Sequence, residues 1–405
     1  MILINKILEN KDQIIEALKK RNLDVQEKVD YLYDKEITRK NTQRNLEENR
    51  AKLNLLTKNK DIENGKITKE QIRIDEALIK ILEEEIFNVL ITLPNIPHED
   101  VEFGKGYENN KIILEKKFEY KTGNLTHWEF AEKKGIIDFD LGTKLAQRGF
   151  PVYIGKGARF QRALINFCLD EAGKYGFIEH EVPILVNKDT VYGTGQFPDK
   201  EDMMYHVQKD DLYLVPTAEV PLTNMFRDKT FDENQLPILV TGYTPCFRRE
   251  AGNYGKETKG LNRLHQFDKI ELVCITTQED GYNRLEIMKD YIQGLLEKLR
   301  LTYRVLKLCG GDMGFGAAKA YDIETYCPIQ DKWVEVVTVT NFDTFQANRL
   351  NCKYKNGKNK KLVHTLNGTG LALPRIVATI FETYQHNGEV EVPEILKNYT
   401  GFDFI

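Results

Sequence analysis

The 405-residue chain is long enough for two or three domains around a large buried core. A formal net charge of -4 at pH 7 excludes a uniformly basic nucleic-acid coat, so any polyanion has to be bound by local basic patches. The six cysteines are widely spaced and form no Cys-x-x-Cys pair, which argues against a zinc site and a disulfide framework. With no secretory signal and no run of eighteen apolar residues, we expect a soluble cytoplasmic protein with free thiols and no zinc.

Residues 24–93 have the composition of helices, since they contain no proline and only one glycine, Gly65. Apolar residues recur every seven positions in both halves of the segment: Leu32, Leu46 and Leu53, then Ile72, Ile79, Ile86 and Leu93. This spacing predicts two antiparallel helices joined near residues 59–66. Polar residues at the seam positions Arg39 and Lys60 predict a thin hairpin that projects into solvent.

Basic residues cluster on the first of these helices: Arg39, Lys40, Arg44, Arg50 and Lys52. They favour contact with a polyanion, and we interpret the hairpin as a projecting arm with a polyanion-binding face. A coiled coil used for dimerisation is the alternative interpretation of the same pattern.

Pro94 and Pro97 end the helical segment and divide the chain into an arm, residues 1–97, and a second domain, residues 98–405. The second domain contains strand-like runs at residues 213–226, 238–250, 265–276, 321–328 and 332–342. Helical patterns cover residues 159–175, 282–299 and 371–384. Because strands and helices do not alternate regularly, we predict an α+β fold with an antiparallel sheet flanked by helices.

A charged turn separates two of the strand-like runs. Arg248, Arg249 and Glu250 end the first run, and Arg263 lies just before the second. The connection is longer than the two to five residues that a hairpin needs, and guanidinium groups bind phosphates through paired hydrogen bonds. The sequence has no P-loop, and "GGDMGFGAAK" is only loosely similar to a dinucleotide fingerprint. We therefore predict a loop that binds an anionic ligand.

Three long stretches resemble the motifs of class II aminoacyl-tRNA synthetases, in the form found in the seryl-tRNA synthetase family. "FRREAGNYGKETKGLNRLHQFDKIE" resembles motif 2, "LNGTGLALPRIVATIFETYQ" motif 3, and "QRALINFCLDEAGKYGFIEHEVPILV" motif 1, which is expected to end in a strand that contains Pro183. The stretches "YGTGQFPDKEDMMYH", "YLVPTAEVPLTN" and "GDMGFGAAKAYDIE" are also similar. The resemblance covers nearly the whole chain, arm included. It implies a class II sheet preceded by a helical hairpin.

The resemblance also implies an activity and an ATP site. Family members join serine to ATP as seryl-adenylate and pass the seryl group to the 3'-terminal adenosine of tRNA(Ser), with catalysis mainly through positioning and charge neutralisation. Arg248 is expected at the α-phosphate, Glu250 at the adenine amino group and Phe267 against the base. Arg263 and Arg375 are expected at the outer phosphates.

The implied metal is Mg²⁺, bound with ATP by Glu335 and Thr338 in "VEVVTVTNF". The family usually has consecutive serines where this chain has Val337 and Thr338, so one hydroxyl is lost and one is kept. Glu335 is expected to act in catalysis together with Arg248 and Arg375.

The residues implied for serine binding are Thr217, Glu219, Arg248, Glu271, Asn367 and Thr369. Carboxylates suit the ammonium group of serine, and the Thr369 methyl group narrows the space for larger amino acids.

The implied partners are tRNA(Ser), whose long variable arm lies against the helical hairpin, and a second copy of the chain, joined across motif 1 with Pro183 near the interface. The hairpin looks shorter than is usual in the family. Two other interpretations are an amino-acid-activating enzyme with a non-tRNA acceptor and a non-catalytic RNA-binding paralogue. The retained arm disfavours the first, and the retained Arg248, Arg263 and Arg375 disfavour the second.

Overall fold

The computed structural model describes residues 1–120, 123–199, 202–250 and 259–405. The centre of the predicted binding loop, residues 251–258, lies outside the described residues. The α-helices in the described ranges are α1 (Ile4–Lys19), α2 (Gln26–Lys58), α3 (Ile62–Leu90), α4 (His127–Lys134), α5 (Phe139–Leu145), α6 (Lys156–Lys174), α7 (Lys188–Thr194), α8 (Glu219–Asn224), α9 (Gly281–Lys298), α10 (Phe345–Leu350), α11 (Leu373–Thr383) and α12 (Lys397–Thr400).

The strands in the same ranges are β1 (Lys111–Lys116), β2 (Ile137–Asp138), β3 (Val152–Tyr153), β4 (Ile178–Glu179), β5 (Leu185–Asn187), β6 (His206–Val207), β7 (Leu212–Leu214), β8 (Thr230–Asp232), β9 (Ile238–Phe247), β10 (Gln266–Thr276), β11 (Tyr303–Lys307), β12 (Lys319–Cys327), β13 (Lys332–Asn341), β14 (Lys353–Asn356), β15 (Asn359–Leu362), β16 (His364–Ala372), β17 (Gln385–His386) and β18 (Glu389–Val390). None of the described helices combines the length and the apolar composition needed to cross a membrane.

Helices α2 and α3 form the predicted antiparallel hairpin. The turn between them is short, and the Asp61 carboxylate caps α3 by accepting a hydrogen bond from the backbone N–H of Asn64 at 3.2 Å. Helix α2 has 33 residues, which corresponds to about 50 Å at roughly 1.5 Å per residue. The helix is therefore longer than the span from Leu32 to Leu53 over which the seven-residue spacing of apolar residues extends.

Helix α1 gives the base of the hairpin a core that the heptad pattern did not predict. Its apolar face packs with the first turns of α2 and the last turns of α3. The members of this basal cluster include Ile7, Ile14, Leu18, Val29, Leu32, Ile86, Leu90 and Leu93.

Further from the base, polar groups are buried between α2 and α3. Glu36 accepts hydrogen bonds from Arg39, and Asp75 accepts hydrogen bonds from Asn49 at 3.1 Å and Gln71 at 2.9 Å. The seam of the hairpin is thus partly polar, as predicted, although its buried polar residues are Glu36, Thr42, Thr68 and Asp75 rather than Arg39 and Lys60.

The large sheet of the second domain has the strand order β1-β11-β12-β13-β16-β10-β9-β4. Each neighbouring pair is antiparallel except β4 and β9. Helices α6, α9 and α11 pack on the sheet around the main apolar core, which confirms the predicted α+β fold. The two strands of the motif 2 stretch, β9 and β10, pair with each other, and β16 of the motif 3 stretch pairs with β10.

Two predicted strands are wrong. Residues 213–226 do not form one strand, because β7 ends at Leu214 and α8 begins at Glu219. The Thr217 hydroxyl accepts a hydrogen bond from the backbone N–H of Glu219 at 3.2 Å, and Pro221 lies in the first turn, where its missing N–H is not needed. Pro183 is not in a strand either; it lies in the connection between β4 and β5. The predicted helices at 159–175, 282–299 and 371–384 are confirmed as α6, α9 and α11.

Candidate active site

A cavity of about 1130 Å³ opens over the sheet where β10, β13 and β16 lie side by side. Of the residues predicted to bind ATP, metal or serine, all but Glu271 line it: Thr217, Glu219, Arg248, Glu250, Arg263, Phe267, Glu335, Thr338, Asn367, Thr369 and Arg375. Glu271 is fully buried and is bonded to two of the lining residues, Thr217 and Asn367. The structure therefore brings the predicted residues together around one space.

Three arginines line the part of the cavity formed by the motif 2 and motif 3 stretches. The Arg248 guanidinium lies 5.2 Å from the ring centroid of Phe267. Arg263 Nε donates to Glu250 Oε2 at 2.6 Å, and Arg375 Nη1 donates to the Glu335 carbonyl at 2.6 Å. These contacts hold the guanidinium groups at the cavity wall, where they can exchange their present acceptors for an anionic ligand.

The buried Glu271 carboxylate has its charge compensated. One oxygen accepts hydrogen bonds from Lys269 Nζ at 2.7 Å and Thr217 Oγ1 at 3.0 Å, and the other accepts from Asn367 Nδ2 at 3.0 Å. Lys269 and Glu271 are both buried, so each provides the counter-ion that the other needs away from water.

The second buried carboxylate, Glu219, differs from Glu271. It accepts a hydrogen bond from Gln346 Nε2 at 2.7 Å, and within the described part of the chain it forms no ion pair. Burial, followed by the charge of Glu271, raises the pKa of Glu219 to about 7. A bound ammonium group would supply the missing cation and stabilise the ionised form.

A third group of side chains lies on β12 and β13. Thr338 pairs with Asp322 across the two strands, and its hydroxyl donates to Glu335 Oε1 at 3.4 Å. Asp322 is 9% exposed, and its Oδ1 has no hydrogen-bond partner in the described residues. Burial, followed by the charge of Glu335, raises the pKa of Asp322.

These side chains fit a hard cation. They offer oxygen atoms, which Mg²⁺ prefers, and the buried Asp322 oxygen lacks a donor. Among the described residues no group of three or more His, Cys, Asp or Glu side chains forms a metal cage. This is the arrangement expected for an ion that takes its remaining ligands from phosphates and water.

Lys269, Gln346 and Asp322 belong to the site but were not predicted. The sequence could have indicated Lys269, because it lies two residues after Phe267 and two residues before Glu271 on one strand. Side chains at this spacing share a face of the sheet. Gln346 and Asp322 are distant in sequence from the residues they approach. No local pattern could have indicated them.

The basic residues predicted to bind a polyanion lie along α2, but several have partners. Arg39 is paired with the buried Glu36, and Arg50 forms an exposed ion pair with Glu76 at 2.7 Å. Lys40 reaches Asn5, while Arg44 and Lys52 are exposed. An exposed ion pair is worth roughly 0–1 kcal/mol, so Arg50 could change partners at little cost.

Comparison with known proteins agrees with this geometry. The model of the tRNA synthetase class II core domain (G, H, P, S and T) matches residues 204–384. The serine–tRNA ligase of Chlorobaculum parvum is 40% identical over 430 residues, and the match covers 100% of both chains. The chain belongs to the serine–tRNA ligase family.

Solved structures of this family also match. Seryl-tRNA synthetase from Pyrococcus horikoshii, solved in complex with ATP, superposes with a TM-score of 0.94 and 31% identity over 100% of this chain and 99% of that one. The cytoplasmic serine-tRNA ligase of Naegleria fowleri, solved with AMP, has a TM-score of 0.93 and 29% identity, covering 100% and 98% of the two chains. The resemblance stated from the sequence motifs is confirmed.

Proposed function

We propose that this chain is a serine–tRNA ligase that converts L-serine and ATP to seryl-adenylate and pyrophosphate, then transfers the seryl group to the 3'-terminal adenosine of tRNA(Ser). The observation that carries the proposal is the distribution of charge in the cavity. At one part of the wall Glu219 is buried and forms no ion pair among the described residues, and three arginines line another part. The ammonium group of a small amino acid complements the carboxylate of Glu219, and the negative charge of a polyphosphate complements the three arginines.

In the first step a serine carboxylate oxygen attacks the α-phosphorus of ATP and pyrophosphate leaves, with no covalent enzyme intermediate. Arg248 neutralises charge at the α-phosphate, and Arg263 and Arg375 bind the outer phosphates. When Arg263 turns to phosphate it releases Glu250, whose carboxylate then accepts a hydrogen bond from the adenine amino group. Phe267 stacks on the base after Arg248 moves from its ring.

Glu335 and Thr338 would hold a Mg²⁺ ion, and Asp322 lies next to Thr338 as a further oxygen donor. A bound Mg²⁺ neutralises charge on the phosphates of ATP. Val337 cannot replace the hydroxyl that a serine would offer, so the chain relies on Thr338 for this donor.

Glu219 and Thr217 bind the ammonium group of serine, and Arg248 also reaches its carboxylate. Glu271, Asn367 and Thr369 surround the serine hydroxyl. Alanine would leave Asn367 Oδ1, which has no hydrogen-bond partner in the described residues, unsatisfied, and this discriminates strongly, whereas the Thr369 methyl group excludes larger side chains by contact.

Residues 1–97 act as the tRNA-binding arm and residues 98–405 as the catalytic domain. The arm lies against the long variable arm of the tRNA, and Arg44, Arg50 and Lys52 contact its phosphates together with Arg39 and Lys40. The enzyme works in the cytoplasm as a homodimer joined across motif 1, with Pro183 near the interface.

A panel of amino acids in an ATP–pyrophosphate exchange assay, followed by charging of total tRNA, tests the proposal. We expect exchange with serine alone and charging of serine acceptors. Exchange without charging would indicate a non-tRNA acceptor, and absence of both exchange and nucleotide binding would indicate a non-catalytic RNA-binding protein. Preferred exchange with another amino acid would also contradict the proposal.

A further inference from the structure

Arg21 follows helix α1 and is buried in the catalytic domain, although it belongs to the N-terminal helices. Its side chain is 6% exposed, and burial lowers the pKa of the guanidinium to about 10, so it stays charged at neutral pH. Within the described residues, all its hydrogen-bond partners are backbone carbonyls. Nε donates to Asn95 at 2.8 Å, and the terminal nitrogens donate to Met313 at 3.2 Å, Gly314 at 3.3 Å and Ala317.

Three of these carbonyls, those of Met313, Gly314 and Ala317, belong to a loop, residues 312–317, that lines the cavity. Asn95 holds the same loop from its other side. Its amide donates to the carbonyls of Gly316 at 2.9 Å and Phe342 at 2.8 Å, and its backbone N–H donates to Phe315 at 2.9 Å. The N-terminal segment therefore supplies hydrogen-bond donors to five successive backbone carbonyls, those of residues 313–317.

No side chain separates the two parts of the protein at this contact. A Cβ atom at Gly310 would lie 2.0 Å from the Lys20 carbonyl oxygen, so the turn after α1 packs directly on the backbone that leads into the loop. A displacement of this turn would be transmitted to the loop, because the intervening contact is backbone against backbone.

The loop lies toward Glu219. The Phe315 ring packs edge-on against Phe345, with ring centroids 5.8 Å apart. Phe345 immediately precedes Gln346, whose amide binds Glu219. Both Phe345 and Gln346 are buried, so this path is tightly packed.

We propose that Arg21 is a positioning residue for serine binding, which fixes the loop at residues 312–317 and through it the wall next to Glu219. This inference rests on the proposed function, because it assigns serine to that part of the cavity. The planar guanidinium directs five N–H groups in a fixed fork and can bind carbonyls that lie in several directions. Lysine has three donors on a single nitrogen and cannot reach all of them.

The test is steady-state kinetics of serine-dependent ATP–pyrophosphate exchange with full-length R21M and R21K. We expect R21M to raise the KM for serine about 10- to 100-fold, since small misplacements of binding groups have effects of this size, and to leave the KM for ATP within about twofold. R21K should fall between R21M and wild type. K20M is the matched control, because Lys20 is partly exposed and its side chain, within the described residues, donates to the Glu99 carbonyl alone; its kinetics should be unchanged.

A purely structural role predicts a different result. Loss of folded protein lowers kcat in proportion to the folded fraction measured by circular dichroism and leaves the KM for serine unchanged; this result would overturn the inference. If R21M does not fold, the KM of R21K decides in the same way. If the wild-type protein catalyses serine-dependent exchange and the variants have unchanged KM values, only the role of Arg21 is refuted. If the wild-type protein catalyses no serine-dependent exchange, the proposed function is refuted.

Discussion

The apparent affinity for serine should depend on pH through Glu219. This buried carboxylate receives a hydrogen bond from Gln346, and the charged groups near it are Glu271, Lys269 and Arg248. Its pKa of about 7, raised by burial and then by Glu271, means that it takes up a proton as the pH falls through 7. Protonation removes the charge that attracts the serine ammonium group, so serine binds more weakly in acid.

The size of the effect follows from the pKa. With a value of about 7, the ionised fraction of Glu219 falls from about nine tenths at pH 8 to about one tenth at pH 6. If only the ionised form binds serine, the apparent KM for serine rises about tenfold across this interval. The ammonium group of serine remains protonated throughout, so it does not contribute.

The assay is ATP–pyrophosphate exchange between pH 5.5 and 8.5 at saturating ATP, with the KM for ATP measured at each pH as a control. E219Q cannot ionise at this position, and it should show a high serine KM at every pH with no inflection near 7. A wild-type serine KM that stays constant within twofold between pH 8 and pH 6 would refute the argument.

Three further predictions follow from the same contacts. The free energy of unfolding of E219Q should exceed that of wild type by about 3 kcal/mol at pH 8 and by about 1 kcal/mol or less at pH 5, because the destabilisation by Glu219 builds up as the pH rises from 4.5, its ordinary pKa, to its raised pKa of about 7; denaturant titration at both pH values measures this. R375A should keep its circular dichroism spectrum and lose about 100-fold or more in exchange kcat, and near-normal exchange would remove Arg375 from the phosphate site. Replacing residues 44–78 with a short Gly-Ser linker keeps the basal cluster and should leave serine exchange intact while tRNA charging falls at least about tenfold, whereas equal loss of both activities would contradict a separable arm tip.

Much of the fold was predictable because its signals are local. The seven-residue spacing indicated the hairpin, and the long apolar runs flanking the charged turn indicated β9 and β10. The prediction of one strand at residues 213–226 was wrong because Val215 and Val220 suggested a strand. The decisive contact is the hydrogen bond from the Glu219 N–H to the Thr217 hydroxyl at the start of α8, and it forms only after folding.

The motifs identified the cavity residues but not their charge balance. Nothing in the sequence distinguishes Glu271, neutralised by Lys269, from Glu219, whose side chain is bonded to Gln346 and to no cation in the part of the chain that the structure describes. That difference depends on which residues of β10 and α10 meet in space. The core of the arm was missed for a similar reason, because α1 completes it from outside the heptad pattern.

The buried polar groups of the hairpin determine how it can change in length. Sliding α3 along α2 by seven residues is a shift of about 10 Å, which would separate Asp75 from Asn49 and leave the buried carboxylate with only the hydrogen bond from Gln71 of its own helix among those described. The two helices therefore have a single alignment, and the tip lies at a constant distance from the base. An insertion in one helix alone would disturb this spacer, so viable length variants should carry matched additions in both helices.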